Sequence, residues 1–209
     1  MFTITFKRLT GSGRFRARAA FVLVSLATMT FYMTSAPANA SGIAINGAYA
    51  LSKENVKTLF SVKVITGSKI TGSFGSVSGR LILNSKRPEK SSIKVSVDLS
   101  TVTTDNPKVT DFLKSEGMFN VAQFPIAEFT STAVTRLSET TAQVEGVLTM
   151  KGKKQRTSLM VQLKDQKPNG TFTFTADGFF SRALFDMSVG EPIYADRVVL
   201  EITGVAIPG

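Results

Sequence analysis

The chain has 209 residues, 25 of them Lys or Arg against 15 Asp or Glu, and it contains no His, no Cys and no Trp. That composition excludes a Ser-His-Asp triad, a cysteine nucleophile, a Cys/His zinc site, His-ligated iron or copper and any disulfide framework. A hydrophobic content of 43% with 19% charged residues describes a chain that can bury a core and fold, not a disordered one.

The first 40 residues carry Lys7, Arg8, Arg14, Arg16 and Arg18 and no acid, then an apolar run from Ala19 to Met33, then Ala38-Asn39-Ala40. A basic start, a short apolar stretch and a small-x-small site are the three parts of a secretory leader, so cleavage is expected after Ala40. The apolar run, broken by Ser and Thr, falls short of the roughly 20 residues that a spanning helix needs. No Cys follows the site and no Arg pair precedes the apolar run, which points to ordinary unfolded export of a domain covering residues 41–209. Without the leader the balance is 25 − 5 = 20 bases to 15 acids, or +5, too little to mark a nucleic-acid binder.

From Gly47 onward the dominant period is two. Phe60, Val62 and Val64 alternate with Ser61 and Lys63; Leu81 and Leu83 flank Ile82; Ile93, Val95, Val97 and Leu99 alternate with Lys94, Ser96 and Asp98. Farther on, Val144, Leu148 and Met150 share a face, as do Leu159, Val161 and Leu163, then Phe172 and Phe174, then Val198, Leu200 and Ile202. Each run predicts a strand with one apolar and one polar face, and at least eight can be drawn. Turn residues separate them at Gly67-Ser68, Lys86-Arg87-Pro88-Glu89, Lys151-Gly152-Lys153 and Pro168-Asn169-Gly170, so neighbouring strands should be antiparallel. Asn169-Gly170-Thr171 scans as a glycosylation acceptor and reads better as part of a turn.

One segment breaks the pattern. Asn106 can cap a helix, Pro107 suits its first position, and Val109, Phe112 and Leu113 fall on one face before Gly117. A short helix over about 107–116 follows, with Met118, Phe119, Val121 and Phe124 continuing its apolar face as a cover over the sheet. A further turn can start at Asn120 and must end by Phe124, because Pro125 disfavours helical geometry before it. The pattern fits one all-β domain, and by itself fits a sandwich with a filled core as well as a barrel.

Several stretches resemble the YceI-like family, described as exported binders of lipid or polyisoprenoid. They are Phe112-Leu113-Lys114-Ser115 with Phe119 through Ser131; Phe60, Gly72, Phe74 and Gly79 in order; Gly146-Val147-Leu148-Thr149-Met150-Lys151-Gly152; and Arg182 with Phe185 and Met187. Together they span about residues 45–206. The resemblance implies a single extended, lipocalin-like antiparallel β-barrel of about eight strands with one short helix. Its apolar channel would hold an isoprenoid or another long-chain amphiphilic lipid, in a periplasmic protein. By the same resemblance the channel is lined by Phe60, Val62, Val64, Phe74, Leu81, Leu83, Val95, Val97, Leu99, Phe112, Leu113, Phe119, Phe129, Leu148, Val161, Phe172 and Phe174. The sequence departs from the family where polar residues are usual: Val64, Val109, Thr110 and Phe112 stand in place of a His, an Arg-Asp pair and a second His. Thr103 and Ser181 replace Asp, and Asp186 replaces Gly.

Carriage without catalysis is the expected role, with no cofactor and no metal. A structural or adhesive exported sandwich is the alternative. A hydrolase is disfavoured because no G-x-S-x-G motif appears and the usual His base is missing. Lys151, Lys153, Lys154 and Arg156 are expected as a solvated hairpin tip that can touch anionic lipid, and Arg182, Asp186, Glu191, Asp196 and Arg197 as loop ion pairs. Brief contact with a membrane surface and a homodimer are both left open.

Overall fold

A computed structural model describes residues 45–209; the leader read over residues 1–40 lies outside them. The strands are β1 (Asn46–Leu51), β2 (Val56–Val64), β3 (Lys69–Phe74), β4 (Val77–Asn84), β5 (Ser92–Asp98) and β6 (Val102–Thr104). After the helix α1 (Pro107–Lys114) come β7 (Ile126–Arg136), β8 (Thr141–Met150), β9 (Lys153–Gln166), β10 (Phe172–Ser181) and β11 (Tyr194–Pro208).

All neighbouring strands pair antiparallel, and one pairing decides between sandwich and barrel. β11 runs with β10 along one edge, Ser181 opposite Arg197 through Phe172 opposite Ala206. Along its other edge it meets β2, with Gly204 opposite Val56, and then β1, with Tyr49 opposite Pro208. That last contact closes the circuit β1-β4-β5-β7-β8-β9-β10-β11-β1, an eight-stranded barrel. The sandwich alternative therefore falls, since a closed ladder leaves no second sheet to pack on the first.

Three of the eight staves are bent. β1 and β2 follow one another along β11 with Ser52–Asn55 between them, β3 and β4 are separated by Gly75-Ser76, and β5 and β6 by the 3-10 turn Leu99–Thr101. Two of these breaks are tied together by Thr101, whose Oγ1 accepts from the backbone N–H groups of Gly75 and Ser76, both at 3.1 Å. Beyond the bends β2, β3 and β6 prolong the wall, and α1 with residues 115–125 returns the chain to β7. The Leu99 N–H meets the Pro125 carbonyl at 2.7 Å, where β5 gives out.

The local signals act as expected. The side chain of Asn106 accepts from the Lys108 N–H at 3.0 Å, and Pro107 occupies the first turn of α1. Lys151 and Gly152 both have positive φ, 49° and 72°, the geometry that a two-residue reversal between β8 and β9 requires. The turn Asn120–Phe124 is present, with both Gln123 and Phe124 bonded to the Asn120 carbonyl. The helix is shorter than expected. It stops at Lys114 because Ser115 turns extended and its hydroxyl bonds the Phe112 carbonyl at 2.7 Å, two residues before Gly117.

Buried residues form two clusters. One gathers at the helix end around Phe60, Val102, Leu113, Met118, Phe119, Phe185 and Met187. The other lies at the opposite end around Ile45, Tyr49, Leu51, Phe172, Phe174 and Ala206. Large rings are accommodated by glycine on the adjacent strand: a Cβ at Gly72 would stand 2.4 Å from Phe60 Cζ, and one at Gly146 would stand 2.4 Å from Phe129 Cζ.

The loop charges are arranged differently from expectation. Arg182 is 2% exposed. Its guanidinium donates to the carbonyls of Ala195 at 3.1 Å, Val189 at 3.0 Å and Tyr194 at 2.9 Å, and to that of Met187. Glu191 is a more distant partner at 3.8 Å. Asp196 accepts from the Ala183 N–H, Arg197 lies 3.5 Å over the Phe179 ring, and Asp186 pairs with Lys153 at 2.5 Å. The segment is thus pinned by one buried cation on backbone oxygens, not by a set of ion pairs. The hairpin tip is likewise partly engaged, since Lys151 Nζ donates to the carbonyls of Glu116 and Asp186.

Candidate ligand cavity

Alternation sends every second side chain of each stave inward, and the phase is the same round the barrel. From β5 come Ile93, Val95 and Val97, from β8 Val144, Leu148 and Met150, and from β9 Thr157, Leu159 and Val161. From β10 come Phe174, Ala176 and Phe180, and from β11 Leu200 and Ile202. These side chains do not meet across the middle. Between the two buried clusters they enclose a cavity of about 150 Å³, comparable to apolar cavities of about 150 Å³ that stay dry and admit benzene. Ala127 and Ala176 supply part of the room, because a short side chain there leaves the opposite wall without a partner.

Thr58 and Thr157 are the only polar side chains among the described residues lining this space. No carboxylate, amine or guanidinium faces it, so the wall offers neither a proton donor of tuned strength nor a charge to orient a reacting group. Its one physical preference is for hydrocarbon, at about 25 cal/mol per Å² of apolar surface removed from water. Titratable groups with a perturbed environment lie elsewhere. Burial in the far cluster lifts the Tyr49 hydroxyl above the ordinary tyrosine range, and a hydrogen bond from Ser52 lowers the exposed Glu54 carboxyl.

Of the residues named from the sequence, Phe74, Leu81, Val95, Val97, Leu99, Phe119, Phe129, Leu148, Val161 and Phe174 line the cavity together. The others are placed apart from it. Phe172 is buried in the far cluster, its ring edge-on to Tyr49 at 4.9 Å between centroids. Phe60, Val62 and Leu113 surround a small cavity of about 40 Å³ at the helix end and also face an outer groove there. Phe112 lines only the outer groove of these two and is 38% exposed, so its side of α1 looks outward. Leu83 lines a neighbouring pocket beside Pro88 and Arg136, which borders the cavity at Ile93 and Val144, and Val64 is half-buried opposite Tyr194.

Sequence reasoning missed several wall residues. Val144, Met150, Leu159, Leu200 and Ile202 were already in phase with the inward rows and needed only the barrel closure to be placed. Leu51, Val56 and Val77 give little signal because they stand at strand ends, and Thr58, Ala127, Thr157 and Ala176 because a short or polar side chain reads the same on an inward as on an outward position. In Phe179-Phe180 two adjacent rings hide the phase; Phe180 lines the cavity, whereas Phe179 is 48% exposed.

Comparison with known proteins agrees with this architecture. Residues 49–206 match the YceI-like domain. A UPF0312 protein of Pseudomonas syringae pv. syringae is 31% identical over 114 residues, 54% of this chain and 59% of that protein, so the match reaches about three fifths of such relatives' length. A UPF0312 protein of Yersinia enterocolitica is 28% identical over 173 residues, 79% of this chain and 90% of its own. Among solved structures, BcnA of Burkholderia cenocepacia superposes with a TM-score of 0.65 at 22% identity, covering 72% of this chain and 95% of that one. A polyisoprenoid binding domain from Saccharophagus degradans gives 0.57 at 14% identity, covering 78% and 99%. At those identities the structures speak to the fold, while the domain match spans well over half of the chain: it belongs to the YceI-like family.

Proposed function

We propose that this protein is an exported carrier that holds the tail of an isoprenoid or another long-chain amphiphile inside the barrel, for transport or storage, and performs no chemistry on it. The observation that carries the reading is the cavity itself, enclosed by eight staves and lined by hydrocarbon except at Thr58 and Thr157. The Saccharophagus degradans domain with the same fold is described as a polyisoprenoid binder, which supports the choice of ligand class. Export rests on the leader read over residues 1–40, and a periplasmic location on the resemblance to the family.

Magnitudes favour tails over head groups. A benzene-sized space admits the end of such a tail, and burying about 200 Å² of its hydrocarbon contributes about 5 kcal/mol before the cost of association. An apolar wall reads length and girth and little else, so tail chemistry should be weakly discriminated. A filled-core structural protein is disfavoured by the same cavity.

Uptake of a dansyl-tagged isoprenoid by the leaderless protein tests the reading. Wild type should bind with an increase in fluorescence, whereas Val97→Asp and Phe174→Asp, if still folded by circular dichroism, should lose binding at least tenfold. Equal uptake by the folded variants would place the tail outside the barrel.

A further inference from the structure

The wall of the barrel is not evenly sealed. β9 and β10 share a ladder from Gln166 opposite Phe172 to Leu159 opposite Gly178, and there it ends. Both strands continue, β9 back to Lys153 and β10 on to Ser181. Over that stretch β9 stays on β8, with Met150 opposite Lys153, and β10 stays on β11, with Ser181 opposite Arg197. Each strand keeps its outer neighbour while the two part from each other.

Side chains bridge the parting in place of backbone. Thr157 Oγ1 donates to the Phe179 carbonyl at 2.9 Å, Gln155 Nε2 donates to the Leu184 carbonyl at 3.2 Å, and Lys153 pairs with Asp186 at 2.5 Å. The seam opens into a notch of about 490 Å³. Leu148, Thr157 and Phe180 line both the notch and the barrel cavity, so three side chains stand between them. The outer rim is mixed: Glu145, Gln155, Arg156, Ser158 and Ser181 supply hydrogen-bonding and charged groups beside the exposed Phe179 and Leu184.

Two other approaches border the cavity: a pocket of about 110 Å³ beside Pro88 and Arg136 that meets it at Ile93 and Val144, and a way past the helix that is more heavily obstructed. The latter leads through the small cavity at Phe60, Phe74 and Phe119, whose rings are in successive contact at 5.3 and 5.8 Å. It is backed by Phe185 and Met187, at 0% and 1% exposure. Opening that route means dislodging a core cluster. Opening the seam means swinging Phe180, which is only partly buried at the edge of that cluster, and releasing side-chain hydrogen bonds, while the flanking ladders remain intact.

We propose that the β9–β10 seam is the lateral portal of the cavity: the tail of the amphiphile passes between Thr157 and Phe180, and its polar, hydrogen-bonding end stays in the notch. This rests on the carrier reading and adds the route and the position of the head. Phe180 acts as the gate leaf, with its ring edge-on to Phe185 at 5.8 Å when closed.

The chain has no Cys, so a disulfide across the seam can be introduced cleanly. Ser158 and Phe179 are the next pair after Leu159 and Gly178, both outward-facing, and the Ser158 carbonyl lies 3.0 Å from where a Gly178 Cβ would sit. Loading with parinaric acid, a long-chain amphiphile that fluoresces when buried, is followed by stopped flow in the Ser158→Cys/Phe179→Cys protein. The oxidised form should load at least tenfold more slowly than the reduced form, and Phe180→Ala should load faster than wild type. If the two cysteines do not join on oxidation, Ser158→Cys carrying a bulky maleimide replaces the locked form and should load equally slowly. Equal loading rates for the obstructed and free forms would overturn the portal and leave the carrier reading standing. No uptake by wild type or by the reduced variant would overturn both.

Discussion

The guanidinium of Arg182 reaches the carbonyl of Tyr194 at 2.9 Å, bridging the start of a loop to the first residue of the strand that closes the barrel. With the carbonyls of Ala195, Val189 and Met187 also on its nitrogens, it ties together backbone oxygens of which that of Met187 is buried and the others part-buried.

Arg182→Met should therefore destabilise the protein by about 3–5 kcal/mol, since it strands several acceptors at once. Arg182→Lys, which keeps the charge and loses the planar fork, should fall between Met and wild type. Urea denaturation followed by circular dichroism measures both, and a Lys variant as stable as wild type would show that the charge alone suffices.

Gly146 sits beneath Phe129, with no room for a methyl group: its Cβ would lie 2.4 Å from Phe129 Cζ and 2.6 Å from the Thr130 carbonyl. Gly146→Ala should cost about 1–3 kcal/mol. Trimming the ring in Gly146→Ala/Phe129→Leu should recover only part of the loss, because the carbonyl contact remains. The same denaturation experiment reads this, and full recovery in the double variant would assign the whole clash to the ring.

These two positions show where the sequence is legible. Alternation over Ile93–Val97, the cap at Asn106 and the turn at Lys151-Gly152 are local, and each appears in the structure with its expected geometry, although Leu99, expected in the same strand, begins a 3-10 turn. Closure is not local. It depends on Tyr49 meeting Pro208, residues at opposite ends of the domain, and the resemblance to a family supplied what periodicity left open. Arg182 was read as an ion-pair residue because acids surround it in sequence; its partners are backbone carbonyls, which leave no trace in composition. The split between cavity residues and the outward Phe112 has a similar origin. Phe112 and Leu113 are adjacent on α1, and it is the docking of the helix, not its periodicity, that buries Leu113 and leaves Phe112 outward.

Tyr49 carries a pH prediction. Its hydroxyl is held above the ordinary tyrosine range mainly by burial, so the folded state favours the neutral form. The contribution is complete below the unfolded value of about 10 and is lost as pH rises through the folded value. Stability measured between pH 9 and 11.5 should decline less steeply in Tyr49→Phe than in wild type; parallel curves would show that this hydroxyl does not drive the alkaline loss.

On the proposed function, the space between the two buried clusters holds a hydrocarbon tail. Native mass spectrometry of the protein purified from its own cells, beside an Ala176→Phe variant purified in the same way, tests it most directly. Ala176 lines the cavity and is 4% exposed, so a ring there occupies the tail's place at a stability cost of about 1–3 kcal/mol. Wild type should carry an adduct whose mass is that of a long-chain lipid, and the folded variant should carry none. A bare wild-type mass, or the same adduct at the same occupancy in the folded variant, would mean that this space holds no tail.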